Sequence, residues 1–272
     1  MAIATPETLL NHRLLPTGVN GSLWSARPSY GVFDFRGFSV RIEVPDPREV
    51  LFPTDCGLSL VTALNGDELS FAGRTALDVG CGSGIYTAAM LAAGAAHVTA
   101  LDVNPASAAV TAGNVALNGL DSSRLHCVTE DLATYQPDRL FDIVVTNPPH
   151  LPYDPVYAGH GGLETALVAG ANGRALYDLV LDRVDDLLAP GGTLLIAHSS
   201  LTDIPFTTTE LERRGYTART LEVCEMDIPL LAYAEHKSTM MAHLEDLRAA
   251  GSASFEGERF WVHALAFQRG LL

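Results

Sequence analysis

The chain has 272 residues, 47% of them apolar, with 17 Lys and Arg against 32 Asp and Glu, a net formal charge of −15. That composition excludes a disordered chain. The carboxylate excess opposes a phosphate backbone, whose binding rests on counterion displacement by Lys and Arg, so nucleic acid is disfavoured as a partner. No apolar run reaches the roughly 20 residues that span a bilayer. The opening Met1-Ala-Ile-Ala-Thr-Pro-Glu lacks the basic and apolar blocks of a signal peptide. A cytoplasmic protein with no membrane partner is expected. Cys56, Cys81, Cys127 and Cys224 are far apart and form no C-x-x-C pair, so reduced thiols and no metal site are expected.

Residues 1–50 are the least regular and read as an N-terminal extension or substrate lid, within which "VFDFRGFSVRIEV" alternates around Gly37 as a hairpin. The proline-rich "VPDPREVLFPTD" follows as a rigid connection, then a short helix from Leu58 to about Asn65. From Thr75 strand and helix alternate. "TALDVG" is a strand and "IYTAAMLAAGA" a helix stopped at Gly94. "HVTALDVN" is the second strand, and Asn104-Pro105 opens the next helix as N-cap and first helical residue. "LHCVTED" and "FDIVVTN" are the third and fourth strands. "GRALYDLVLDRVDDLLAPGG" is an amphipathic helix with a proline-glycine stop, "TLLIAHS" a fifth strand, and "TARTLEVCEM" a sixth. An insertion over about 227–257 precedes the last strand, "RFWVHALAFQR". Inside it Met240, Met241, Leu244 and Leu247 lie at helical spacing, as a core-facing stripe does. Such alternation gives an α/β fold, a mostly parallel sheet with helices on both faces, over residues 51–272.

Ligands of open α/β sheets sit beyond the carboxyl ends of the strands. The first such end reads "LDVGCGSGIYT", with Asp78, Gly80, Gly82 and Gly84. Glycines there let a ligand approach the backbone. A dinucleotide fingerprint needs its third glycine where Ile85 stands, and Asp78 opposes a pyrophosphate while suiting an ammonium group, directly or through water. Asp102 ends the next strand, where a carboxylate accepts ribose hydroxyls. Together "LDVGCGSG", "ALDVN" and "VTEDL" resemble the class I S-adenosylmethionine-dependent methyltransferases. The resemblance implies a Rossmann-like seven-stranded sheet with an antiparallel last strand beside the fifth, and S-adenosyl-L-methionine as cofactor. It implies that Gly80, Gly82 and Gly84 line the methionine and ribose parts, that Asp102 holds the ribose, and that Val103 packs on the adenine. Asp131, with Glu130 as competitor, accepts from the adenine amino group, with Leu132 beside the ring.

The fourth strand ends in "TNPPHLPY". A planar nitrogen is a poor nucleophile, because its lone pair is delocalised; two acceptors on its N–H groups hold it in line and favour charge on nitrogen. The Asn147 side chain, placed to face the cofactor's methyl group, and the Pro148 carbonyl are those acceptors, kept aimed by two prolines. The pattern is similar to the Asn-Pro-Pro-Tyr motif of methyltransferases acting on glutamine side chains and adenine amino groups, and within them to the HemK/PrmC branch. Here His150 replaces the tyrosine, to stack, donate a hydrogen bond or take a proton. Thr54, Asp55, Tyr153, Tyr157 and His160 are candidates for the substrate pocket. Glu164 and Asn172 fit a capping role better, and Tyr86 either touches the cofactor carboxylate or packs. The modified motif, the insertion and the acidic surface favour a small-molecule acceptor over a protein glutamine. A non-catalytic binding module is the reading from another class.

Overall fold

The computed structural model describes residues 29–67, 69–153, 168–228 and 237–271. The hairpin is β1 (Ser29–Phe35) and β2 (Phe38–Val44), antiparallel. Its turn residues, Arg36 and Gly37, have φ of 50° and 82°, the doubly left-handed turn that matches strand twist. The hairpin buries Phe33, Phe35, Val40 and Ile42 in the same core as Leu58 and Ile85. Helix α1 (Asp55–Leu64) starts at Asp55 rather than Leu58, because the Thr54 hydroxyl accepts from Gly57 N at 3.4 Å and caps it there.

Strands β3 (Thr75–Val79), β4 (His97–Asp102), β5 (Leu125–Thr129), β6 (Phe141–Thr146), β7 (Leu188–Ser199), β8 (Tyr216–Asp227) and β9 (Arg259–Arg269) form one seven-stranded sheet, ordered β5-β4-β3-β6-β7-β9-β8. The pairs from β5 through β7 are parallel, and β9 lies antiparallel between β7 and β8. This is the Rossmann-like methyltransferase sheet that the resemblance implied.

Helices α2 (Ile85–Ala92), α3 (Pro105–Leu117), α4 (Ala175–Leu187) and α5 (Ile204–Arg213) cover the sheet. Strand periodicity sets which core each residue enters. On β6, Ile143 and Val145 join the core shared with α1, α2 and the hairpin, while Val144 joins Tyr177, Val180 and Val184 of α4. The expected stop at Pro190-Gly191-Gly192 falls inside β7 instead, where the pairing with β6 slips between Phe141 and Ile143. In the insertion, α6 (Lys237–Ala249) buries Met240 and Leu244 and packs Met241 and Leu247 against the core. Among the described residues no helix is long and apolar enough to cross a membrane.

Candidate active site

The carboxyl ends of β3 to β6 open into one cleft of about 1190 Å³. Single small-ligand sites run to about 1,000 Å³, so the volume accommodates a cofactor together with an acceptor group.

At its floor Gly80, Gly82 and Gly84 have φ of 71°, 49° and 76°, a region closed to most side chains. Their purposes differ. Gly80 and Gly82 line the cleft, with no atom nearer than 4.0 Å to where a Cβ would stand. Gly84 does not line it: a Cβ there would lie 2.8 Å from the Thr111 side chain, so this glycine lets α2 pack on α3. Asp102 accepts from Gly82 N through Oδ2 and from Asn104 N through Oδ1, each at 2.8 Å. Those bonds fix the carboxylate against the loop and leave lone pairs for two hydroxyls. Val103, 67% exposed, offers the cleft an apolar face. Glu130, exposed Asp131 and buried Leu132 close that end, Asp131 Oδ1 accepting from Ala133 N at 2.9 Å. An open glycine floor, a fixed carboxylate and an apolar shelf fit the methionine, ribose and adenine parts of S-adenosylmethionine.

Asp78 lies behind the loop rather than on the cleft wall. Its Oδ2 accepts from Thr87 N at 3.0 Å and Thr87 Oγ1 at 2.6 Å, while Oδ1 has no partner among the described residues. Burial pushes its carboxyl up to about 7, against the opposing hydrogen bonds from Thr87.

The Asn-Pro-Pro-His segment forms the opposite wall. Asn147 Oδ1 is buried with no partner among the described residues. A Cβ on Gly57 would lie 3.4 Å from Asn147 Nδ2 and 3.3 Å from the Tyr86 hydroxyl, which donates to Gly57 O at 2.9 Å. The bare first turn of α1 thus seats over the amide, and Tyr86 packs there. His150 Nδ1 stands 3.1 Å from the Pro148 carbonyl oxygen. A carbonyl only accepts, so Nδ1 carries the hydrogen. Burial holds the imidazole below its ordinary pKa, and its ring leans on Phe260, centroids 6.1 Å apart and tilted 47°.

The residues after the motif are tied to the loop before α4. Tyr153 N donates to Gly170 O at 3.1 Å and Ala169 N to Leu151 O at 3.2 Å. A Cβ on Gly173 would fall 2.8 Å from His150 O. Asn172 Oδ1 accepts from Arg174 N at 3.0 Å, which turns the chain just ahead of α4 rather than capping it, since the helix has no side-chain cap bond at Arg174. Tyr153, expected at the pocket wall, is instead 1% exposed in the core. Thr54 and Asp55 line the cleft. Tyr157, His160 and Glu164 lie outside the described residues. The sequence reading missed Met226 and Phe260, which line the cleft as a cross-strand pair of β8 and β9. Only the antiparallel register brings these two together, and no local signal marks either.

The family model described as "Ribosomal protein L11 methyltransferase (PrmA)" matches residues 60–148, the third of the chain that holds the glycine loop and reaches Pro148. The chain is 35% identical over 150 residues to a ribosomal protein L11 methyltransferase from Erwinia tasmaniensis, covering 48% of this chain and 50% of that one. It is 27% identical over 143 residues to a candidate protein N5-glutamine methyltransferase from Methanocaldococcus jannaschii, covering 53% and 71%. The chain therefore spans about half the length of the curated relative from Erwinia. In fold it is similar to a ribosomal protein L11 methylase from Lactobacillus delbrueckii subsp. bulgaricus (TM-score 0.50, 18% identity, 83% of each chain). It is also similar to a 16S rRNA methyltransferase from T. Thermophilus solved with AdoMet and guanosine (TM-score 0.55, 18% identity, 90% of this chain and 51% of that one). The preference for a small-molecule acceptor is corrected by the curated relatives, both named for protein acceptors. Net charge is a sum over the surface and does not report what one cleft binds. In fold, and in the sequence around its glycine loop, the chain is similar to the class I S-adenosylmethionine-dependent methyltransferases.

Proposed function

We propose that the protein methylates a side-chain nitrogen of a polypeptide, with a glutamine amide as the acceptor that the Asn-Pro-Pro clamp suits. The observation that carries this is Asn147 Oδ1, a buried acceptor without a partner among the described residues, on the wall of the cleft. A buried carbonyl left unpaired costs about 1–3 kcal/mol, a cost relieved when an acceptor N–H enters. Asn147 and Pro148 then take the two N–H groups of a planar amide and orient its nitrogen. Gly80, Gly82, Asp102, Val103, Asp131 and Leu132 would hold S-adenosylmethionine, which supplies an electrophilic methyl group. The names of the curated relatives support a protein acceptor, and the likeness of Asn-Pro-Pro to the HemK/PrmC motif supports glutamine within it.

The test is transfer of labelled methyl from S-adenosylmethionine into a bacterial extract, separated into protein, nucleic acid and small molecules. Label is expected in protein, and acid hydrolysis of that fraction should release labelled methylamine, as an N-methylated amide does. Label confined to RNA or small molecules defeats the proposal. Label that stays on amino acids through hydrolysis defeats its glutamine part.

A further inference from the structure

The tyrosine of the related motif cannot do what a neutral imidazole can, and the geometry at His150 is specific on this point. Its Nδ1–H is committed to the Pro148 carbonyl at 3.1 Å. The proton-free nitrogen is therefore Nε2, and among the described residues no group is bound to it. The ring lines the cleft beside Asn147, braced on one face by Phe260. A base oriented through its other nitrogen by a fixed acceptor is the arrangement that directs proton transfer.

We propose that His150 Nε2 takes the proton released by the acceptor nitrogen; this rests on the amide-transfer reading above. The N–CH3 bond forms as the S–CH3 bond of the donor breaks, its electron pair leaving with sulfur. The N–H held by the Pro148 carbonyl turns to Nε2 as the methyl arrives; that N–H bond breaks, its electrons remain on nitrogen, and the proton passes to Nε2. The resulting imidazolium keeps its Nδ1–H bond to Pro148 O, a bond that strengthens as the ring becomes charged. The same carbonyl therefore serves twice, with one lone pair for the acceptor N–H and one for the base. Burial, which keeps the resting ring neutral, supports this role. The groups around the ring are mixed in sign. Buried His198 of β7, its pKa pushed down to about 3, is neutral and sets no positive charge against the ring. Asp55 of α1 and Asp227 of β8 line the same cleft, and Arg259 of β9 is paired with Glu225 at 2.7 Å.

Two measurements on the full chain decide the matter. Imidazole nitrogen shifts of the complex with S-adenosylhomocysteine, assigned by their loss in His150→Gln, should show a hydrogen on Nδ1 and none on Nε2 at pH 7. The opposite tautomer overturns the proposal. The rate of labelled-methyl transfer into extract protein should fall on the acid side as His150 is protonated, below pH 6.5. In His150→Gln and His150→Tyr that acid limb should vanish and the rate drop by about 100-fold or more, with S-adenosylhomocysteine affinity unchanged by calorimetry. An unaltered limb, or a tyrosine variant at full rate, also overturns it. If the wild-type enzyme labels no protein, the acceptor reading fails by itself, and the nitrogen shifts, which need no acceptor, still decide the state of His150.

Discussion

Among the described residues, Asn147 is held by what packs around it rather than by a bond to its Oδ1. Gly57 leaves space for the amide nitrogen, Tyr86 ties the α1 turn down over it, and Oδ1 is buried with no partner among the described residues. Asn147→Ala should therefore bind S-adenosylhomocysteine within about twofold of wild type yet lose about 100-fold or more in turnover, the scale of removing one oriented polar group at a reacting centre. Calorimetry and labelled transfer measure the two halves; full turnover would refute the clamp. The glycines separate in the same way. At Gly84 both the positive φ and the 2.8 Å approach of Thr111 reject a side chain, so Gly84→Ala should lower unfolding stability by about 1–3 kcal/mol in urea titrations. Gly82→Ala faces open cleft, and should cost cofactor affinity as well as the smaller strain of its φ. Equal stability losses with intact affinity in both would contradict this division.

At the scale of elements, α3 does more than cross from β4 to β5. Asn114 Oδ1 accepts from Glu43 N at 2.8 Å and its Nδ2 donates to Glu43 O at 2.9 Å, while Asn118 does the same for Arg41, both at 2.7 Å. Two amides four residues apart on the helix thus act as the missing neighbour of β2 and cover part of its free edge. Asn114 Nδ2 also donates to Ser83 O at 2.8 Å, which links the hairpin to the glycine loop. Asn114→Ala should destabilise the fold by about 1–3 kcal/mol and speed hydrogen exchange at Glu43. It should also weaken S-adenosylhomocysteine binding, because the loop loses a support. Unchanged exchange at Glu43 would argue against this edge pairing. In the sequence Asn118 is visible only as the end of a helix and Asn114 as an ordinary interior polar residue. Their partners lie 77 and 71 residues away, beyond the reach of any periodicity.

Across the whole molecule, two buried titratable groups pull stability in opposite directions with pH. His198 is stacked on Tyr177 at 4.0 Å, and its Nε2 meets Thr207 Oγ1 at 2.8 Å. Burial pushes its pKa down to about 3 from 6.5. The stability it contributes is present above pH 6.5 and is lost as pH falls toward 3. Asp78 runs the other way. Its carboxyl rises from 3.8 to about 7 through burial, so its contribution is full below pH 3.8 and is lost as pH rises through 7. In Asp78→Asn the decline between pH 4 and 7 should flatten, by an amount on the order of a few kcal/mol, in denaturant titrations across that range. A wild-type slope in the variant would show that Asp78 is not the group responsible.

Much of this was legible from local chemistry. The glycine spacing, the alternation of strand and helix, Asn104-Pro105 and Asn147-Pro148-Pro149 each state a backbone requirement within a few residues. That is why the sheet and the cofactor side of the cleft follow from them. What depends on distant segments does not. Met226 and Phe260 reach the cleft together only through the antiparallel register of β8 and β9. Tyr153, written beside the motif, turns into the core. Gly84 proves to be a packing glycine because Thr111 lies against it. The acidic composition pointed to a small acceptor because it sums charges without placing them. The sequence by itself determined the fold class and the glycine loop at the first strand's end, since both are written in short-range periodicity and φ. Tertiary structure alone decided which groups line the cleft together, because only packing brings side chains from separate strands toward one another.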